Sequence, residues 1–274
     1  MGNVIQTNVA SLNAQRNLFK TNIDLTTTFQ RLSSGFRINS AKDDASGLFI
    51  SNQLTSQIKG LNVAIRNAGD GISFSQTAEG GMQEITNILQ RMRELAVQSA
   101  NGTNGAVERD ALNEEFSALE AEVARITDQT TFGARNVLDG TSGNIPLQVG
   151  INAGEQITIT GTDLTTLSVY TAATHTISTS AGADAALAAL DLDIRAVDSA
   201  RAGLGAVQNR LISTIANLQS VIENASASRS RIRDTDFALE TSNLSKNQVL
   251  QQAGLSVLGQ ANASGQGVLS LLQG

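Results

Sequence analysis

Few residues in this chain are equipped for catalysis. His175 is the single histidine, and cysteine is absent from the 274 residues. A His-pair zinc motif is therefore impossible, as are disulfides, thiolate metal ligands and a cysteine nucleophile. A Ser-His-Asp triad has one imidazole to draw on. His175 lies in a Thr-rich stretch without partner residues, which reads as a surface loop or strand position. Glu114, Glu115, Glu120 and Glu122 bring four carboxylates together, but nothing around them suggests a pocket. A solvated helix face or pairing between subunits accounts for them better than acid–base work. Ala68-Gly-Asp-Gly71 lacks the preceding strand and the Lys of a phosphate loop, so its glycines point to close helix packing. Arg229, Arg231 and Arg233 make the best candidate for a polyanion patch, undercut by Asp234 and Asp236 directly after them. A helix end meeting a helix start, with internal ion pairs, is the simpler reading. Asn101-Gly102-Thr103 fits an N-glycosylation pattern, and Ser and Thr between 158 and 180 could carry O-linked sugars. An enzyme is not the expected class.

The elements that hold these residues follow from composition. Hydrophobic residues make up 41%, enough for a core, but aromatics are 3% and Trp is absent, so the core must rest on Leu, Ile, Val and Ala. One proline, Pro146, leaves room for very long helices. A net charge of -6 gives no general footprint for nucleic acid. No stretch reaches the roughly 18 apolar residues of a membrane span, so membrane insertion is not expected. The first residues, MGNVIQTNVASLNAQ, carry neither a basic n-region nor an apolar h-region. The expectation is a cytoplasmic protein, or one that leaves by a route needing no cleaved signal peptide.

Spacing divides the chain into helix, β-like centre and helix. Residues 1–140 and 184–272 read as helical, and 141–180 are rich in Thr, Gly and Ser. In the second half a three-and-four seam runs Leu187, Leu190, Ile194, Val197, Arg201, Leu204, Gln208, Leu211, Ile215, Leu218, Ile222 and Ala225, with Asp184 as its expected N-cap. Arg201 and Gln208 interrupt it, as polar residues that set register or partner do. The first half matches with Ile58, Leu61, Ile65, Ala68, Ile72, Ser75, Ala78, Met82, Ile85, Leu89, Met92 and Ala96; two successive steps of three around Ser75 make a stammer. A third helix carries Leu112, Phe116, Leu119, Val123 and Ile126. Alternation over 145–151 and 156–160 predicts a β-hairpin turning at 152–154. A second, weaker strand pair is expected around 167–170 and 175–178. The ends carry thin apolar stripes: Ile5, Val9, Leu12, Phe19 and Ile23 at one, Leu250, Val257, Val268 and Leu271 at the other. Such stripes bury too little to offset ordering entropy, so each end is expected to fold only against the other and against neighbouring chains. The expected fold is mainly α, a long helical coiled-coil rod formed by the N- and C-terminal segments with a small central β-hairpin.

Three stretches carry a family resemblance: Leu32 to Leu48 (LSSGFRINSAKDDASGL), Leu89 to Ser99 (LQRMRELAVQS) and Val268 to Gly274 (VLSLLQG). Together they resemble bacterial flagellin, the filament subunit of the flagellum. Ser228 to Phe237 (SRSRIRDTDF) resembles its C-terminal junction, and Leu147 to Ile159 its small β element. The resemblance covers about 1–140 and 184–274. It implies an inner domain of 1–43 plus 235–274, a helical rod of 44–140 plus 181–234, and a short β-rich segment at 141–180 in place of large outer domains. It further implies a helical homopolymer outside the cell, subunits passed through the flagellar export apparatus with an export chaperone, and contact with filament cap and hook–filament junction proteins. By the same resemblance Arg91, Leu95 and Glu115 belong to the surface seen by a host Toll-like receptor, and the apolar C-terminus to the part seen by inflammasome sensors. No cofactor is implied. A hook–filament junction protein and a glycan-binding surface filament are the alternatives; a filament-borne zinc protease is excluded by the single histidine.

Overall fold

The computed structural model describes residues 7–171 and 175–273, with 265–273 described by backbone alone. Helix α1, Val9–Ser34, opens on Asn8, whose side chain accepts the Ser11 N–H at 3.0 Å. It closes on Gly35 at φ 73°, whose N–H reaches the Arg31 carbonyl at 2.8 Å. That left-handed conformation suits a residue without Cβ. Helix α2, Ala45–Ala100, runs for 56 residues and is capped by Asp44, which accepts the Gly47 N–H at 2.8 Å. Helix α3, Ala106–Gln129, turns back along it. Two antiparallel hairpins follow: β1, Thr131–Phe132, with β2, Arg135–Asn136; then β3, Ile145–Gln148, with β4, Gln156–Ile159. Short α4, Ser168–Thr171, leads to α5, Ser180–Arg233, of 54 residues, and α6, Phe237–Gln273, completes the chain.

The chain forms two compact units, Gln57–Ile222 and the paired ends Met1–Ser56 with Glu223–Gly274. In the first, α2 and α5 run antiparallel, cross-linked by Arg93–Asp191 at 2.8 Å and Arg201–Gln83 at 2.6 Å. One heptad column of α5 is wholly buried: Leu190, Val197, Leu204, Leu211 and Leu218. The alternate positions Leu187, Ile194, Ile215 and Ile222 are half-buried. From α2, Leu61, Met82, Ile85 and Leu89 are buried, whereas Ile58, Ile65 and Ile72 are half-buried. Each large aliphatic buried this way contributes about 1.5–3 kcal/mol, before the entropy of ordering is counted.

The predicted hairpin forms, with Ile145 opposite Ile159 and Leu147 opposite Ile157. Ile157 and Ile159 turn inward while Gln156 and Thr158 face solvent, the period of two that marked it in the sequence. Its strand β3 lies on α2, where Asn67 Nδ2 donates to the Gln148 carbonyl at 2.9 Å.

Four expectations are corrected. The second strand pair is absent among the described residues: 168–171 form α4 instead, and 172–174 lie outside them. Its helical turn is fixed by a buried side chain from α5, described below. Helix α5 starts at Ser180, and Thr179 Oγ1, not Asp184, accepts the Gly182 N–H at 3.1 Å. Residues 131–136, within the stretch read as helical, form the first hairpin. The α2 glycines serve close helix packing only in part: Gly71 lies against Leu211 of α5 but even closer to Leu147 of β3, Gly81 makes room for Leu138 and Thr130, and Gly69 and Gly80 face open space.

Candidate assembly surfaces

Helices α1 and α6 pair through polar and small groups. Asn8 Nδ2 donates to the Ala261 carbonyl at 2.8 Å, Ser11 Oγ to Asn262 at 2.8 Å, and Gln251 Nε2 to Asn22 at 2.7 Å. Gly254 lets Leu18 approach, and Arg31 pairs with the nearly buried Glu240 at 3.8 Å. On α1 the buried side chains are Ser11 and Thr28. The large apolar groups point the other way: Val9, Leu12, Phe19 and Ile23 on α1, and Leu250 and Val257 on α6, are all exposed, Phe19 to 69%. Ile5 lies outside the described residues, and Val268 and Leu271 lie where the backbone alone is described. Phe49, Phe237 and Leu239 are exposed too, which the sequence stripes did not include.

Where α1 ends and α6 begins, Phe36 and Asp234 form an antiparallel bridge, and Arg37 N donates to the Arg233 carbonyl at 2.7 Å. Asp236 caps α6 by accepting the Ala238 and Leu239 N–H groups at 2.9 and 3.2 Å. The helix end and helix start are as read from the sequence, but the ion pairs are not. Among the described residues no ion pair joins these arginines to Asp234 or Asp236; Arg233 instead stacks over Phe36, 4.1 Å from the ring centre. Arg233 is thus engaged in the junction itself, whereas Arg231 stays exposed and donates to Ser228 on its own helix.

On the rod unit the four carboxylates separate. Glu115 pairs with Arg91 at 2.8 Å and Glu122 with Arg125 at 2.5 Å, both exposed. Glu120 differs: it sits on the inner face of α3 between Phe116 and Val123, with Oε1 buried and without a hydrogen-bond partner. Burial pushes its carboxyl up to about 7. Arg91 and Glu115 present an exposed pair, but Leu95 does not join them. It is 1% exposed, within the core, because its position on α2 faces the same cluster as Met92 and Ala96. Leu95 is therefore corrected from a surface residue to a core one. The seam interruptions both find partners across the helix pair: Arg201 with Gln83, and Gln208 Nε2 with Glu79 at 3.0 Å. His175 lies on a loop segment, as expected, and is half-buried, with Nδ1 unpartnered.

Asp193 was missed by the seam analysis, although its spacing between Leu190 and Val197 puts it on the buried column. It is 5% exposed and accepts three bonds that start α4: Ser168 N at 3.0 Å, Ser168 Oγ at 2.6 Å and Val169 N at 3.1 Å. Asp193→Ala leaves those donors unmatched, and a loss of about 2 kcal/mol is expected. Denaturant midpoints check the loss, and amide exchange at Val169 checks its location.

These surfaces are faces of long helices. A family model described as the bacterial flagellin N-terminal helical region matches residues 5–143, and one for the flagellin C-terminal helical region matches 187–272. The chain belongs to the bacterial flagellin family. Flagellin of Halalkalibacterium halodurans is 45% identical over 271 residues, spanning 98% of this chain and 100% of that one. Flagellin A of Vibrio cholerae is 39% identical over 375 aligned positions, spanning 98% and 99%; against that longer relative this is a short-form flagellin. The crystal structure of Bacillus cereus flagellin superposes with a TM-score of 0.52 at 32% identity, over 56% of this chain and 88% of that one. A chain assigned to the flagellar hook-associated proteins of Vibrio parahaemolyticus reaches 0.60 at 13% identity, over 70% and 100%, a likeness of fold alone. Flagellins are structural proteins. This one is a subunit of the flagellar filament, the extracellular self-polymer of swimming motility.

Proposed function

We propose that residues 1–43 and 235–274 form the inner packing layer of the filament, with 44–140 and 181–234 as its rod and 141–180 as a short variable element. The observation that carries this reading is the outward face of α1 and α6: Val9, Leu12, Phe19, Ile23, Leu250 and Val257 are exposed in the single chain. Large apolar groups on one face, rimmed by polar ones, mark a surface made for a partner. In a helical polymer identical copies cover it through heterologous contacts that repeat without closing. Ile5, Val268 and Leu271 belong to the same layer on this reading. The half-buried and buried seam residues of α2 and α5 hold the rod.

The subunit passes through the flagellar export apparatus, escorted by an export chaperone, and adds beneath the filament cap above the hook–filament junction proteins. In a host, a Toll-like receptor meets the exposed Arg91–Glu115 pair, and inflammasome sensors meet the apolar C-terminus. Arg91 and Glu115 support the first by their exposure, Arg91 Nε and Nη2 both donating to Glu115 Oε1 at 3.0 and 2.8 Å. Deleting 240–274 is expected to leave a soluble helical monomer that does not extend filament seeds. Normal filaments from that truncation in electron micrographs refute the role given to the end.

A further inference from the structure

Asparagine or aspartate stands directly before glycine at four places: Asp70-Gly71, Asn101-Gly102, Asn104-Gly105 and Asp139-Gly140. With no Cβ beside it, the glycine nitrogen can close on the side-chain carbonyl of the preceding residue. The fold protects three of these pairs, each differently. Asp70-Gly71 lies inside α2, where the Gly71 N–H is committed to the helix ladder. The Gly140 N–H donates to the Thr162 carbonyl at 3.2 Å. Asn104 is half-buried, and its Nδ2 is tied to the Gln98 carbonyl at the end of α2, at 2.7 Å. The Glu108 carboxylate also lies over Gly105, 2.7 Å from where a Cβ would stand, and its charge opposes loss of the Gly105 amide proton.

Asn101-Gly102 is left open, in the turn between α2 and α3. Both residues are exposed, and a Cβ on Gly102 would meet nothing within 4 Å. Among the described residues neither the Gly102 N–H nor Asn101 Nδ2 makes a hydrogen bond. Asn101 Oδ1 accepts the Thr103 N–H at 3.3 Å, which curls the side chain over the peptide that follows it and polarises Cγ. Arg109 donates to the Ser99 carbonyl at 2.9 Å and to the Asn101 carbonyl at 3.3 Å, so a guanidinium stands beside the nitrogen that must become an anion.

We propose that Asn101 is a site of enzyme-free conversion to aspartate and isoaspartate in the folded chain. The Gly102 nitrogen gives its proton to a solvent base and bonds to Asn101 Cγ. The Cγ–Nδ2 bond breaks, and Nδ2 leaves as ammonia with a proton from water. Water then opens the cyclic imide. Addition at Cγ breaks its bond to the Gly102 nitrogen and gives aspartate. Addition at the Asn101 main-chain carbonyl breaks that bond instead and gives isoaspartate, with the backbone running through the former side chain. Nothing is oxidised or reduced. Either product adds a negative charge to the turn. Isoaspartate also adds a methylene to a turn closed by the Asn104 N–H on the Asn101 carbonyl at 3.2 Å. Time since folding is thereby recorded in the α2–α3 connection.

The test holds the folded full chain in mildly alkaline buffer and follows the tryptic peptide 94–109, which contains both asparagines, by mass spectrometry. Residue 101 is expected to gain about one dalton as its amide becomes a carboxyl group. Residue 104 should convert about tenfold more slowly, the rate equivalent of one hydrogen bond broken on the way to the transition state. In the urea-unfolded chain the two should convert at similar rates, since the local Asn-Gly sequence is the same. Gly102→Ala is expected to suppress conversion at 101 alone, with unchanged circular dichroism, because Gly102 is not among the glycines at positive φ. Equal rates at 101 and 104 in the folded chain overturn the proposal. So does a residue 101 that keeps its amide while the unfolded chain converts.

Discussion

Phe116→Ala is expected to destabilise the rod unit by about 3–5 kcal/mol. Phe116 is the largest fully buried side chain in the core cluster that also holds Leu89, Met92, Leu95, Ile177 and Leu190. Helix α3 has few other anchors: its remaining fully buried side chains are Val123 and Thr127, and Thr127 spends its hydroxyl on the Val123 carbonyl one turn back. Truncation removes the largest apolar side chain α3 contributes, beside Leu112, Leu119, Val123 and Ile126, and leaves a cavity that two long, well-packed helices cannot collapse to fill. The loss should therefore be uneven. Amide exchange across 106–129 is expected to quicken well beyond that of the α2 and α5 segments, and denaturant midpoints give the size of the change. Uniform exchange across the unit would show that α3 is held by something other than this ring.

The second large effect is pH-dependent. Glu120 sits on the buried stripe of α3, and desolvation raises its carboxyl from 4.5 to about 7. Below about 4.5 the folded and unfolded chains both hold the proton, and the site carries no penalty. As pH rises toward 7 the unfolded chain loses the proton first, so stability falls through that window and levels off above it. The total is about 2–3 kcal/mol. Glu120→Gln keeps the shape without the ionisation. It should match the parent near pH 4.5 and exceed it by most of that amount at pH 8. Equal stabilities of the two proteins at pH 8, from urea unfolding, would show that Glu120 ionises freely in the folded chain.

Much of this architecture is legible in the sequence because it repeats. The heptad column from Leu190 to Leu218 is regular enough that pattern alone locates the rod, and the hairpin betrays itself by alternation in Ile157 and Ile159. What escapes is set by single contacts at long range. Nothing local distinguishes 168–171 as a helical turn rather than a strand; the carboxylate of Asp193, 25 residues on, makes that choice. Leu95 was given a surface role by resemblance, whereas the residues around it place it in the apolar row with Met92 and Ala96. The glycines were legible only in part. Gly71 reads like a helix-packing residue and does lie against Leu211 of α5, but only the fold reveals that the nearer side chain it admits, Leu147, belongs to the hairpin. Phe74 lies off the seam and is buried because Phe132 of β1 meets it edge-on at 5.8 Å.

The amide and hydroxyl links between Asn8, Ser11, Asn22, Gln251 and their opposite numbers have a mechanical corollary. Water can replace such links one at a time, with little grease brought to light. Pulled from either tip, the molecule should unzip there at low force and stiffen abruptly once the load reaches the leucine column. On the export route proposed above, a polypeptide fed lengthwise through a narrow conduit gains from yielding in that order.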